Sequence, residues 1–240
     1  MKDILEQAKQ FLRQQEELYG PELLLPKQPA DNRMPVPKKL TAKKSPVMDE
    51  LPDLKNLSEL VANCKACALC KTRTQTVFGS GNPKAELMFI GEAPGADEDA
   101  QGLPFVGRAG QLLTKMIEEP RSLGIPRKDV YIANILKCRP PGNRKPLPEE
   151  VEQCETYLFA QIENIRPKFI VALGATAANT LLRNTTPISA MRGQFFNYHG
   201  TSMMVTFHPA ALLRKQEWKK LAWQDMLTLK QKLQEAKSIG

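Results

Sequence analysis

Short apolar runs followed by helical patterns set the frame of this chain. ELMFIG (86–91) ends in glycine, and after a loop comes GRAGQLLTKMIEEP, whose Leu112, Leu113, Met116 and Ile117 share one helical face. VYIANIL (130–136) reads as a second strand. LPEEVEQCETYLFAQIENI (147–165) reads as a helix opened by Pro148 and two acidic residues, the composition a helix N-terminus favours. KFIVALG (168–174) with ATAANTLL repeats the strand–helix unit. GQFFNYHG and TSMMVTFHPA predict a hairpin turning at Gly200, ahead of a long amphipathic C-terminal helix. Apolar strands alternating with helices predict an α/β fold, a three-layer α/β/α sandwich around a central, mostly parallel four-stranded sheet. Ligands in such folds sit beyond the carboxyl ends of the strands. Those ends here are GEAPGADED, NILKCRPP, GATAA and HPAALLR, so the polar motifs collect at one edge.

The pattern changes upstream. MKDILEQAKQFLRQQEELYG spaces its apolar residues helically and predicts an amphipathic helix over 1–20. Residues 21–56 are rich in proline and lysine and predict a disordered linker, serving either as a phosphate-tracking arm or as a solubilising tether. Residues 57–240 then form one folded domain, a length that can bury a full core. No apolar run approaches the ~18 residues of a membrane span, and the N-terminus lacks the apolar core of a secretory signal. These features point to a cytoplasmic protein with no membrane association, in a compartment where clustered thiols bind metal more often than they pair. A net charge of +8 and a pI near 9.2 favour an anionic partner such as nucleic acid, or else a solvated basic surface.

Five cysteines sharpen this. VANCKACALCKTR (61–73) carries Cys64, Cys67 and Cys70, while Cys138 follows the second strand and Cys154 lies on the next helix. One C-x-x-C pair with two distant cysteines supplies four thiolates, enough for a tetrahedral zinc or an iron-sulfur cubane. Spacing alone selects neither, nor does it say which of the first three is spare.

GEAPGADED (91–99), LPFVGRAGQLL (103–113), NILKCRPPGNRKPLP (134–148) and HPAALLR (208–214) together resemble the family 4 uracil-DNA glycosylases, in order, over about residues 57–236. The resemblance implies a 4Fe-4S cluster on Cys64, Cys67, Cys138 and Cys154, with Cys70 left over and the cluster in a structural role. It implies a monomeric, monofunctional enzyme that flips uracil out of single- or double-stranded DNA and hydrolyses its N-glycosidic bond, starting base excision repair. A repair or replication protein docking on the N-terminal helix is a further expectation. The runner-up is an iron-sulfur DNA-binding protein of the same fold without glycosylase activity. A third class is a C-x-x-C redox protein.

The chemistry asks for a stacking ring, an amide for the base edge, a donor for the departing anion and a placed water. Phe105 supplies a ring. Asn134, at a strand end, offers the donor and acceptor that match uracil O4 and N3–H. His208 as a neutral imidazole can donate to uracil O2. Glu92 is the residue to orient water, because Ala93 stands where the best-known uracil-excising enzymes carry an acid. Gly91 and Ala93 are expected to line the pocket, and by resemblance Glu98 lies near uracil C5, where it excludes thymine. HPAALLR is expected to insert into DNA, with Leu212 (or Leu213) as the wedge and Arg214 on a phosphate. No histidine lies between Asn134 and Cys154, which argues against the covalent product trapping of a related group.

Overall fold

A computed structural model describes residues 51–239. The helix expected over 1–20 and nearly all of the expected linker lie outside the described residues.

The described chain opens with helix α1 (Leu54–Ala62), so the stretch expected to be linker up to residue 56 already contains a first helical turn. Asp53 causes this: its carboxylate accepts from the Asn56 N–H at 2.8 Å and caps the helix. There follow β1 (Ser80–Gly81), β2 (Leu87–Gly91), α2 (Ala96–Gln101), α3 (Arg108–Glu118), β3 (Tyr131–Asn134), α4 (Pro148–Ile165), β4 (Phe169–Leu173) and α5 (Ala175–Leu182). The chain ends with α6 (Ile188–Met191), β5 (Phe195–Tyr198), β6 (Thr201–Thr206), α7 (Pro209–Arg214) and α8 (Lys219–Ile239).

The sheet order is β1-β3-β2-β4-β6-β5. Its four inner strands, β3, β2, β4 and β6, are mutually parallel; the first three are the expected apolar runs and β6 is the second arm of the predicted hairpin. Six strands are present because each edge carries an antiparallel addition. On one edge β1 is a two-residue pairing with no alternation to read. On the other, β5 is the half-exposed arm of the predicted hairpin, whose His199 and Gly200 both take positive φ (47° and 89°) in a two-residue turn.

Side-chain alternation divides the core. Met88, Ile90, Ala133, Ile170, Ala172, Met203 and Val205 face α4 and α5, while Leu87, Phe89, Ile132, Phe169, Val171, Leu173 and Met204 face α3 and α8. Inner strands buried on both faces account for their unbroken apolar sequences, and the three-layer sandwich follows. The carboxyl end of β6 is tied to α8: the Thr206 hydroxyl donates to Asp225 at 2.6 Å, and Arg192 pairs with the same buried carboxylate. His208, two residues on, therefore leaves a fixed strand end.

Candidate functional site

The carboxyl ends of β2, β3 and β6 open onto one pocket of about 370 Å³. Its walls include Glu92, Ala93, Glu98, Phe105, Asn134, His208 and Arg214, seven of the nine residues expected to act on DNA or its base. Gly91 lies beneath it, paired with Asn134 across the β2–β3 ladder. Gly91 has no substitute here: a Cβ would sit 2.6 Å from Phe105 Cζ and closer still to Asn134 Oδ1. The missing side chain is what lets ring and amide meet.

Asn134 is 1% exposed, and its Oδ1 is buried without a hydrogen-bond partner. Such a group is costly unless something else completes it, so the oxygen marks where a ligand donor belongs. Its backbone is fixed on both sides. Ile135 N–H donates to the Gly91 carbonyl (2.9 Å), Leu136 N–H to the Glu92 carbonyl (3.1 Å), and the Lys137 ammonium to the carbonyl of Asn134 itself (2.8 Å).

Phe105 is buried and takes φ = 54°, a region that bulky residues seldom occupy. Two groups hold it there. Arg127 donates to the carbonyls of Pro104 and Phe105 at 2.9 and 3.1 Å and to the Thr114 hydroxyl at 2.8 Å. Glu98 accepts from the N–H groups of Val106 and Gly107 at 2.9 and 3.0 Å, and from Gly95 at 3.1 Å. Glu98 is thus a pocket wall and also the organiser of the loop that carries the ring. Its neighbour Asp99 is buried and accepts from Thr74 N–H with both oxygens.

His208 caps α7, its Nδ1 accepting from the Ala210 N–H at 3.2 Å. That bond leaves the ring proton on Nε2. Burial, then the nearby Arg214 charge, push the imidazole down to about 4. The ring is therefore a neutral donor, with its centroid 5.6 Å from that of Phe105. Gly174, at φ = 92°, allows this approach, since a Cβ would lie 2.9 Å from that of His208.

On α7, Leu212 is 1% exposed and packs into the core against the α3/α8 face. As the expected wedge, Leu212 would have to leave the core to enter DNA. Leu213 is the partly exposed member of the pair, and Arg214 is exposed at the pocket rim. Pattern alone could not choose between adjacent leucines on a one-and-a-half-turn helix. Sequence reading also missed Arg144, which lines the pocket and is held by a two-point pairing to buried Glu150 (2.9 and 2.6 Å), although it stands inside the quoted CRPPGNRKP motif. Arg127 and Lys137 carried no signal, because their roles depend on carbonyls that only the fold brings near.

A second concentration of polar groups lies beside α4. All five cysteines line one pocket with Arg73, Lys137 and Tyr157. Arg73 donates to Cys138 Sγ (3.1 Å) and to the Cys64 carbonyl (2.8 Å), while the Lys137 N–H donates to Cys154 Sγ (3.2 Å). Burial pushes the Cys154 thiol up to about 12 and raises Cys67 and Cys138 as well. Among the described residues no three acidic, histidine or cysteine side chains converge closely enough to hold a single ion. The thiols, with the Arg73 guanidinium and the Lys137 backbone N–H donating to them, fit a larger electropositive group that would take them as thiolates. Cys70 shares the pocket with the four cysteines expected as ligands.

Residues 78–227 match the family model for the uracil DNA glycosylase superfamily. The type-4 uracil-DNA glycosylase of Archaeoglobus fulgidus is 47% identical over 165 residues, covering 65% of this chain and 81% of the relative. That of Thermotoga maritima is 48% identical over 162 residues, covering 67% and 83%. A type-5 uracil-DNA glycosylase of Pyrobaculum aerophilum is more distant, at 32% over 146 residues, with 55% and 64% covered. A pocket with an unpaired amide oxygen, an aromatic ring and a neutral imidazole thus accompanies close likeness to type-4 enzymes over about two thirds of the chain, and the chain belongs to the uracil-DNA glycosylase superfamily, on its type-4 branch.

Proposed function

We propose that this protein excises uracil from DNA by hydrolysing its N-glycosidic bond, and that it works in the cytosol at the start of base excision repair. The observation that carries the reading is the buried, unpartnered Oδ1 of Asn134, a residue that lines the pocket together with Phe105 and His208. An extruded uracil stacks on Phe105, donates N3–H to Asn134 Oδ1 and accepts at O4 from the Asn134 amide. His208 Nε2–H donates to O2. As the C1′–N1 bond breaks, its electron pair passes to the base, and the His208 donor meets the charge growing on O2. Glu92 orients the water that attacks C1′; its oxygen bonds to C1′ and the proton it sheds, relayed through Glu92 or solvent, neutralises the uracil anion, leaving free uracil and an abasic site. Glu98 keeps the Phe105 loop closed against C5 and so excludes a thymine methyl. Arg214 and Arg144 offer charge to the flanking phosphates, and Leu213 enters the space the base leaves.

The test is alkali-revealed cleavage of an oligonucleotide carrying one uracil, with a thymine control and Glu92→Gln alongside. Cleavage at uracil alone, depressed in the variant, is expected; intact strands from iron-replete protein would favour the non-enzymatic DNA-binding reading. In the same assay Leu213→Ala should slow excision from duplex more than from single strands, and equal slowing would remove its wedge role.

For the second pocket we propose a 4Fe-4S cluster on Cys64, Cys67, Cys138 and Cys154. The support is a largely enclosed thiol set to which the Arg73 guanidinium and the Lys137 backbone N–H donate, as suits thiolates binding a cluster. Such a group clamps three segments together, and glycosidic hydrolysis asks no electron of it. Purified protein should contain about four irons with broad visible absorption, lost in Cys138→Ser and retained in Cys70→Ser. One zinc and no colour would sink the assignment.

A further inference from the structure

Lys137 lies between the two pockets and touches the makings of both. It is 1% exposed, and its ammonium donates to the Asn134 carbonyl at 2.8 Å and to Gln161 Oε1 at 2.5 Å. Its own N–H donates to Cys154 Sγ, and its carbonyl accepts from the Val77 N–H at 2.7 Å. Gln161, on α4 and fully buried, donates in turn to the Phe78 carbonyl (3.0 Å) and the Tyr131 hydroxyl (3.2 Å), so it grips the start of β3 as Lys137 grips its end.

A buried ammonium is unfavourable unless its donors are used, and methionine would fill the same space without that penalty. What lysine adds is a fixed, charge-assisted donor to the last carbonyl of β3, one that the sheet ladder leaves over. That carbonyl belongs to the residue whose side chain carries the unpartnered oxygen. A small rotation of the Asn134 peptide moves Oδ1 out of line with a base edge, and misplacement on the scale of 1 Å is enough to cost about 10²-fold in rate.

We infer that Lys137, anchored by Gln161, is the positioning residue that sets the Asn134 amide for reading the base edge and couples that amide to the cysteine-bound segment. The inference rests on the uracil-excision reading above. Lys137 touches no substrate, so its effect should appear in the chemical step for a bound base and not in affinity for undamaged DNA.

The experiment is single-turnover excision by Lys137→Met and Gln161→Met, each alone and combined with Asn134→Ala, with visible absorbance and binding to undamaged DNA measured in parallel. Each single variant is expected to lose about tenfold or more in rate at unchanged absorbance and affinity. Both substitutions are expected to become silent in the Asn134→Ala background, because residues that act through one another are not additive. Wild-type protein that releases no uracil would overturn the glycosylase reading and this inference with it. Active wild-type protein beside variants of undiminished rate, or variants whose losses persist undiminished after Asn134→Ala, would overturn the positioning role alone. So would loss of absorbance in both variants, which would make the pair a support of the cofactor instead.

Discussion

Asn134→Asp is expected to collapse the preference for uracil over cytosine while leaving slow uracil excision. The wild-type residue is buried, and its backbone is fixed by the β2 pairing and the Lys137 bond, so the amide meets a base edge from one direction. Uracil presents a donor at N3 and an acceptor at O4. Cytosine presents an acceptor at N3 and a donor at N4, which sets like against like at two buried positions. Mismatches of that kind can reject a substrate by about 10⁴-fold or more. An aspartic acid in the same burial can take up a proton, donate to cytosine N3 and accept from its amino group. Single-turnover rates on matched uracil and cytosine oligonucleotides should converge by at least ~100-fold. If the variant still refuses cytosine as strongly as the wild type, Asn134 is not the reader of the base edge.

His208→Ala should lower the excision rate by about 10²–10³, the usual penalty for losing one donor to a developing anion. The pH dependence tells which form of the ring acts. With the folded value near 4 and the ordinary value 6.5, the unfolded chain binds the extra proton between them. The contribution of the neutral ring to stability is therefore complete above pH 6.5 and is lost as pH falls toward 4. Across pH 6–8 the wild-type rate should show no titration from His208. A rate that falls as pH rises through 6–7, with that limb missing in His208→Ala, would show an imidazolium at work and overturn the assignment.

Much of this architecture was legible from one sequence because burial on both faces writes itself as unbroken apolar runs, clearest in β2 and β4, while β6 was marked by the hairpin turn before it. The edge strands were not, for opposite reasons: β1 is too short to have a period, and β5 read as a hairpin arm whose place in the sheet depends on β6. Residues such as Asn134 and His208 could be singled out because they lie at, or two residues past, the carboxyl end of a strand. Which of the two leucines of α7 is exposed could not be read, since exposure of Leu213 and burial of Leu212 are decided by how α7 rolls against the core. The groups that aim the functional side chains were the least legible. Arg127 acts on carbonyls more than 20 positions away, and Gln161 reaches Phe78 across 83.

The left-handed backbone at Phe105 bears on how this protein could be improved. A bulky residue at φ = 54° holds about 1–3 kcal/mol of conformational strain, offset by Arg127, Glu98 and the packing of the ring. A library screened for heat resistance alone would relax that loop and enrich changes from 103 to 107 that lower the strain. Such winners would keep the sandwich and lose the ring conformation proposed to carry the base, so thermal selection of this scaffold has to be coupled to turnover from the first round.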